Sequence, residues 1–173
     1  MLPRAHASIV EAVDFDTLVR EADDVVLARV IKQWTQYDEH GRIVTDYQMQ
    51  VERTEKGSTT AGSAIVVRKL GGIVGKRGMR ISGEPSFTEG EEVLVFATRG
   101  NKTYLRPVGM GQGTMRIFEQ DGVRWARSDA AGMVLVKAGD STTKARAAMP
   151  EPRVLEDVLA DVHALVAAQA KPK

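Results

Sequence analysis

Three histidines, two glycine-rich runs, two loop serines and a few adjacent carboxylates are the residues of this chain whose types admit chemistry. His6, His40 and His163 lie far apart, whereas histidine or cysteine metal sites place ligands a few residues from one another. Asp38-Glu39-His40-Gly41 has the composition of a polar turn tip. Gly71-Gly72-Ile73-Val74-Gly75-Lys76-Arg77-Gly78 has the glycines of an anion-cradling loop but not the Gly-Lys-Ser/Thr ending of a phosphate loop. Gly109-Met110-Gly111-Gln112-Gly113 lacks the spacing and following helix of a dinucleotide site. Ser82 and Ser86 could serve as nucleophiles, yet no motif places a histidine beside them. Asp23-Asp24 and Glu91-Glu92 stand at strand entrances, where neighbours point to opposite faces, and they read as solvent-facing edges. The expectation is therefore no cofactor, no metal centre and no enzyme.

The elements that must position these residues are mostly strands. Ala22 to Gly57 reads as one long hairpin around the tip Asp38-Glu39-His40-Gly41. Its second strand alternates, with Ile43, Thr45, Tyr47, Met49 and Val51 on one face and mostly polar residues on the other, which predicts a half-buried strand. The first strand is apolar on both faces from Val25 to Ile31 with Arg29 the interruption, which predicts cover on two sides near its start. Phe15 to Ala22 has helical spacing, with Asp14 or Asp16 as cap.

Further strands are predicted at Ala64–Val67, Met79–Ser82, Val93–Ala97, Tyr104–Val108, Thr114–Phe118, Val123–Arg127 and Met133–Val136. Leu70 to Glu92, rich in glycine, is the least regular stretch, and long loops inside compact domains are often functional. From Val154 to Val166 an apolar stripe faces Glu156, Asp157, Asp161 and His163, with Pro152 at its start, so an amphipathic helix should pack on the sheet.

A chain of 173 residues suits one domain, here 13–168, between a tail at 1–12 and a disordered end at 169–173. The net charge of +1 predicts no general attraction to nucleic acid or to an anionic membrane. Residues 1–60 carry 7 basic and 11 acidic side chains, net −4, while residues 61–130 carry 11 basic and 7 acidic, net +4. There is no cysteine, hence no disulfide framework, and no run long enough to span a membrane. Ala5-His6-Ala7 has the small-x-small pattern read by signal peptidase, which predicts export to a periplasm or medium and a mature start near Ser8.

The succession of Ala22-Asp23-Asp24-Val25-Val26, a long hairpin, Lys56-Gly57, and Phe87-Thr88-Glu89-Gly90-Glu91-Glu92-Val93-Leu94-Val95-Phe96 resembles the netrin-like modules of tissue inhibitors of metalloproteinases. The likeness spans Phe15 to Phe118 and implies an OB-like barrel; joined to the strands and helices read above, the expected fold is a mainly β, OB-like antiparallel barrel of five to seven strands with a short N-terminal helix, the amphipathic C-terminal helix covering one opening. In those inhibitors an N-terminal cysteine chelates the target's zinc; without cysteine here, only the barrel and a binding role are implied. The expected function is a non-enzymatic exported module that binds another protein. Its surface is drawn from Gly71, Gly72, Lys76, Arg77 and Arg80 with Asp38, Glu39 and His40. Two alternatives carry named residues. Single-stranded nucleic acid would stack on Trp34, Tyr47, Tyr104 and Trp125 among Arg106, Arg116, Arg124 and Arg127. A small hydrolase would use Ser82 or Ser86.

Overall fold

The structure, a computed structural model, describes residues 9–100, 103–130, 133–136, 144–146 and 151–170. The signal-peptidase pattern at Ala5-His6-Ala7, the start at Ser8, the turn residues Asn101 and Lys102, and the last three residues of the predicted C-terminal tail lie outside them.

In chain order the elements are β1 (Ile9–Glu11), α1 (Phe15–Glu21), β2 (Asp24–Tyr37), β3 (Ile43–Lys56), β4 (Ala64–Leu70), β5 (Gly72–Val74) and β6 (Arg77–Met79). They continue as β7 (Glu92–Thr98), β8 (Arg106–Pro107), β9 (Thr114–Gln120), β10 (Val123–Ser128), β11 (Val134–Val136), β12 (Lys144–Arg146), β13 (Arg153–Val154) and α2 (Leu155–Gln169). The described residues are thus mainly β, with two α-helices. The main sheet runs β13-β10-β9-β7-β2-β3-β4, every neighbour antiparallel. A small sheet, β1-β11-β12, and the hairpin β5–β6 stand apart.

Why β2 and β7 are apolar on both faces follows from the period of two. Val25 and Leu27 with Leu94 and Phe96 face one way, onto α1 and α2, in a core completed by Leu18, Val19, Leu155, Val158, Leu159 and Val162. Val26, Ala28 and Val30 with Val93, Val95 and Ala97 face the other way, into a second core with Tyr47, Met49, Val51, Ile65, Val67, Phe87 and Leu105. A strand whose two faces are both dry must be apolar throughout, and each large aliphatic so buried contributes about 1.5–3 kcal/mol relative to exposure. Phe15 meets Phe96 edge-on at 5.7 Å in the first core, and Tyr47 meets Phe87 at 5.0 Å in the second.

Several sequence expectations are corrected. β3 is not half-buried at its start: Ile43 to Tyr47 are all buried, because Asp46 on the supposed wet face is clamped. Its oxygens accept from Arg68 Nε at 2.6 Å, Arg68 Nη2 at 2.7 Å and Gln36 Nε2 at 2.7 Å. α2 does not cap an opening but lies with α1 across the face of Val25, Leu27, Leu94 and Phe96. It begins three residues after Pro152, since Arg153 and Val154 first pair with Ala126 and Trp125. The regular pairing after Leu70 is Gly72–Val74 with Arg77–Met79 rather than a strand at Met79–Ser82.

The named strands do not close into a barrel; β4 and β13 end the ladder. A single parallel bridge joins Val67 to Leu105. There the Leu105 amide donates to the Val66 carbonyl at 2.8 Å and the Arg68 amide to the Leu105 carbonyl at 2.8 Å. Leu105 leads directly into β8, which pairs with β7.

Candidate functional site

Asp24, Lys56 and Gly57 meet at one structural knot, where the end of β3 packs on the start of β2. Asp24 is not solvent-facing: it is buried at the start of β2, and its Oδ1 accepts from the Thr59 hydroxyl at 2.6 Å and the Thr59 amide at 3.1 Å. Arg99 Nη2 donates to its Oδ2 at 2.9 Å. Burial pushes the Asp24 carboxyl up, but the hydrogen bonds from Thr59 and Arg99 outweigh it and hold it below the ordinary value of 3.8. Lys56 donates its ammonium to the Val19 carbonyl at 2.7 Å, tying the end of β3 to the last turn of α1. Gly57 follows with φ +98°, the left-handed region that favours glycine. Lys56 thus holds the end of the long hairpin to the first helix, while Asp24 holds the turn after β3 and Arg99 to the start of β2.

The glycine-rich segment is anchored at the far end of the same hairpin. Gly71 donates its amide to the Ile43 carbonyl at 2.8 Å, and the Thr45 hydroxyl donates to the Gly71 carbonyl at 2.6 Å. At Gly72 any Cβ would lie 2.5 Å from the Thr35 methyl and 2.5 Å from the Thr45 hydroxyl, so only glycine lets β5 cross here. The β5–β6 turn places Gly75 first of its two central residues, at φ 58°. Farther along, Phe87 and Pro85 are buried and return the chain to β7.

Between the end of β4 and this segment lies a cleft of about 340 Å³, lined by Lys69 to Ile73, Met79, Arg80, Ile81, Glu84 and Ser86. A recess of about 280 Å³ adjoins it, shares Arg80, Ile81, Glu84 and Ser86, and reaches Arg116 and Asp129. Glu84 Oε1 accepts from the Leu70 amide at 3.3 Å, at the end of an edge strand. Burial raises the Glu84 carboxyl above its ordinary value; the Leu70 hydrogen bond and the charges of Arg106 and Lys69 oppose this without cancelling it. Arg116 is fully committed, to Asp129 at 3.1 Å, to Glu91 at 2.7 Å and to the Ser86 carbonyl. A third recess, lined by Arg29, Gly90, Glu92 and Arg124 among others, holds Glu92. Burial raises that carboxyl, against the charge of Arg124 and with the help of nearby Glu52.

Of the sequence-derived surface, Gly71 and Gly72 serve as packing joints, while Lys76, Arg77 and Arg80 are exposed. Asp38 is used by its own turn: it accepts from the His40 amide at 3.0 Å, the Arg42 amide at 2.8 Å and Arg42 Nε at 2.8 Å. Burial opposes these bonds, yet they hold its carboxyl down at about 2. Glu39 and His40 are exposed at the tip, 3.8 Å apart. Tip and glycine-rich segment share one end of the molecule, through the bond of Gly71 to Ile43.

The nucleic-acid candidates do not form one platform: Tyr47 is inside the second core, Tyr104 lies under the Arg68 guanidinium at 3.9 Å, and Arg116 and Arg124 are ion-paired. Ser82 and Ser86 line the recess with Arg80, Glu84, Arg116 and Asp129. Sequence reasoning missed Ile73 and Glu84 as site residues. Glu84 sits between Gly83 and Pro85, a turn signal; nothing in the sequence marks it as the cap of the Leu70 amide. Among the described residues no group of three or more histidines, aspartates or glutamates could hold a metal ion, and no helix is long and apolar enough to cross a membrane. No protein-family model matches the chain, and no curated protein sequence matches it either.

Proposed function

We propose that this chain is an exported, non-enzymatic, OB-like binding module of netrin-like type, whose Leu70–Glu92 segment and neighbouring hairpin tip hold another protein. The OB-like reading is supported by the β2-β3-β4 meander, the return of β7 against β2, and the parallel contact of Val67 with Leu105 beside β8. Export rests on the Ala5-His6-Ala7 pattern.

The observation that carries the binding role is Ile73. It is 72% exposed on a hairpin whose backbone is bonded at Gly71 and wedged at Gly72. Single exposed apolar side chains are ordinary on protein surfaces. This one lines a cleft, on a hairpin whose backbone is held in place at its base. The test is site-specific incorporation of a photo-crosslinking residue at Ile73, with Val123, also exposed, as control position. Irradiation of envelope or secreted fractions should yield one crosslinked protein from position 73 and none from 123. Equal products from both positions, or none from 73, would remove the reading.

A further inference from the structure

Resting on that binding reading, we infer the chemistry of the partner: an extended acidic segment, with apolar residues at alternate positions, that lies along β6 as a third strand.

Charge is the first reason. The charged groups of Lys76, Arg77 and Arg80 have no ion-pair or hydrogen-bond partner among the described residues, whereas those of Arg68, Arg99, Arg116 and Arg124 each hold a carboxylate. Three uncompensated cations thus stand within five residues of chain. Of the three, Arg80 lines the cleft, where the carboxylate of Glu84 also stands; Glu84 already lies in the field of Arg106 and Lys69, and its raised titration leaves it a weaker counter-charge. Complementarity then calls for negative charge on whatever docks here, and like-charged partners are excluded.

Backbone pairing is the second reason. β5–β6 is a two-stranded sheet, and among the described residues no strand pairs with the outer edge of Arg77–Met79. An open edge is a template for strand addition, in which main-chain bonds supply affinity and alternate side chains supply specificity. The third reason is the apolar contact. Ile73 faces Gly78 across the hairpin, with a Cβ at Gly78 falling 3.7 Å from Ile73 Cγ1. That leaves a shallow apolar spot flanked by positive charge, which fits a peptide alternating acidic and apolar side chains. A bare anion would use the charge and leave the isoleucine and the edge idle.

The experiment is a fluorescence-anisotropy titration of the full chain with a labelled peptide of alternating glutamate and valine. Three further probes are run beside it: the lysine–valine counterpart, the glutamate–valine peptide N-methylated at alternate residues, and a labelled single-stranded oligothymidine. The glutamate–valine peptide should bind at low salt and weaken at physiological salt, and the other three should not. Arg77→Glu with Arg80→Glu should weaken binding roughly tenfold or more, as expected for reversing two facing charges, with circular dichroism of the variant unchanged. Equal binding of the N-methylated peptide overturns strand addition, and binding of the oligothymidine, or no binding of the glutamate–valine peptide, overturns the acidic-segment assignment. A retained crosslink at position 73 in the face of those results would leave the platform standing and remove only this partner chemistry; loss of both would remove both.

Discussion

A Cβ added to Gly57 would lie 2.6 Å from Asp24 Oδ1 and 2.4 Å from the Asp23 carbonyl oxygen, so the turn after β3 packs directly on the start of β2. Gly57→Ala adds that clash to a φ of +98°. It should cost at least about 2 kcal/mol. Gly62, at φ +84° with open space around it, is the matched control; Gly62→Ala should cost about 1 kcal/mol from backbone strain alone. Urea melts of the two variants check this, and equal losses would show that the close approach to Asp24 is immaterial.

Asp24 is the acceptor for Thr59 and Arg99. Asp24→Ala leaves those donors without their acceptor and should cost about 1–3 kcal/mol at neutral pH. Its carboxyl is held below 3.8 in the folded chain, so its stabilisation is present above 3.8 and is lost as pH falls through the folded value. Asp24→Asn should therefore flatten part of the acid limb of the stability curve. Asp38, held at about 2, makes its own contribution, which is lost only as pH falls towards that value. Denaturant melts across the acid range test this; an acid limb of unchanged slope in Asp24→Asn would exclude Asp24 as a contributor.

Glu84 behaves in the opposite sense. Its folded carboxyl titrates above 4.5, so the native state holds more protons than the unfolded one and stability falls as pH rises through that window. Glu84→Gln keeps an oxygen for the Leu70 amide and has no charge to bury. The variant should gain stability relative to the parent at neutral pH and lose that advantage in acid. Melts of parent and variant above and below the window decide it, and a constant difference across pH would refute the assignment.

Leu105 accepts from the Arg68 amide and donates its own amide to the Val66 carbonyl, across the gap between β4 and β8. If this contact acts as a seam, the amides of Arg68 and Leu105 should exchange with solvent as slowly as those of Leu94 and Val95 in the buried centre of the sheet. Hydrogen exchange read by NMR resolves them individually. Rapid exchange at both amides would mean that the sheet is open along β4.

Much of the architecture was legible because it depends on local period and local chemistry. The double-faced apolar run of β2 required cover on both sides, and the Asp14 carboxylate accepting the Thr17 amide at 2.7 Å starts α1 where a capping residue stood in the sequence. The stripe from Leu155 to Val162 required a surface to lie on. The face on which α2 lies was not legible, since an amphipathic helix specifies an apolar patch without saying which patch.

Among the candidate site residues the same division holds. Lys76, Arg77 and Arg80 were legible as exposed cations in a glycine-rich segment, because nothing in their neighbourhood offers burial. Gly71 and Gly72 read in the sequence as contact residues, yet their need for glycine comes from Thr35, Thr45 and Met79, which only packing brings near. The sequence presents Asp24 as a solvent-facing edge and Asp46 as one of the polar residues on the outer face of β3, because their partners Arg99 and Arg68 lie 75 and 22 residues away. Composition and periodicity alone determined a mainly β chain with two helices, since apolar alternation and capping act within a few residues. Tertiary structure alone decided which charges were neutralised and which remained free, because pairing a charge requires a partner brought close by the fold.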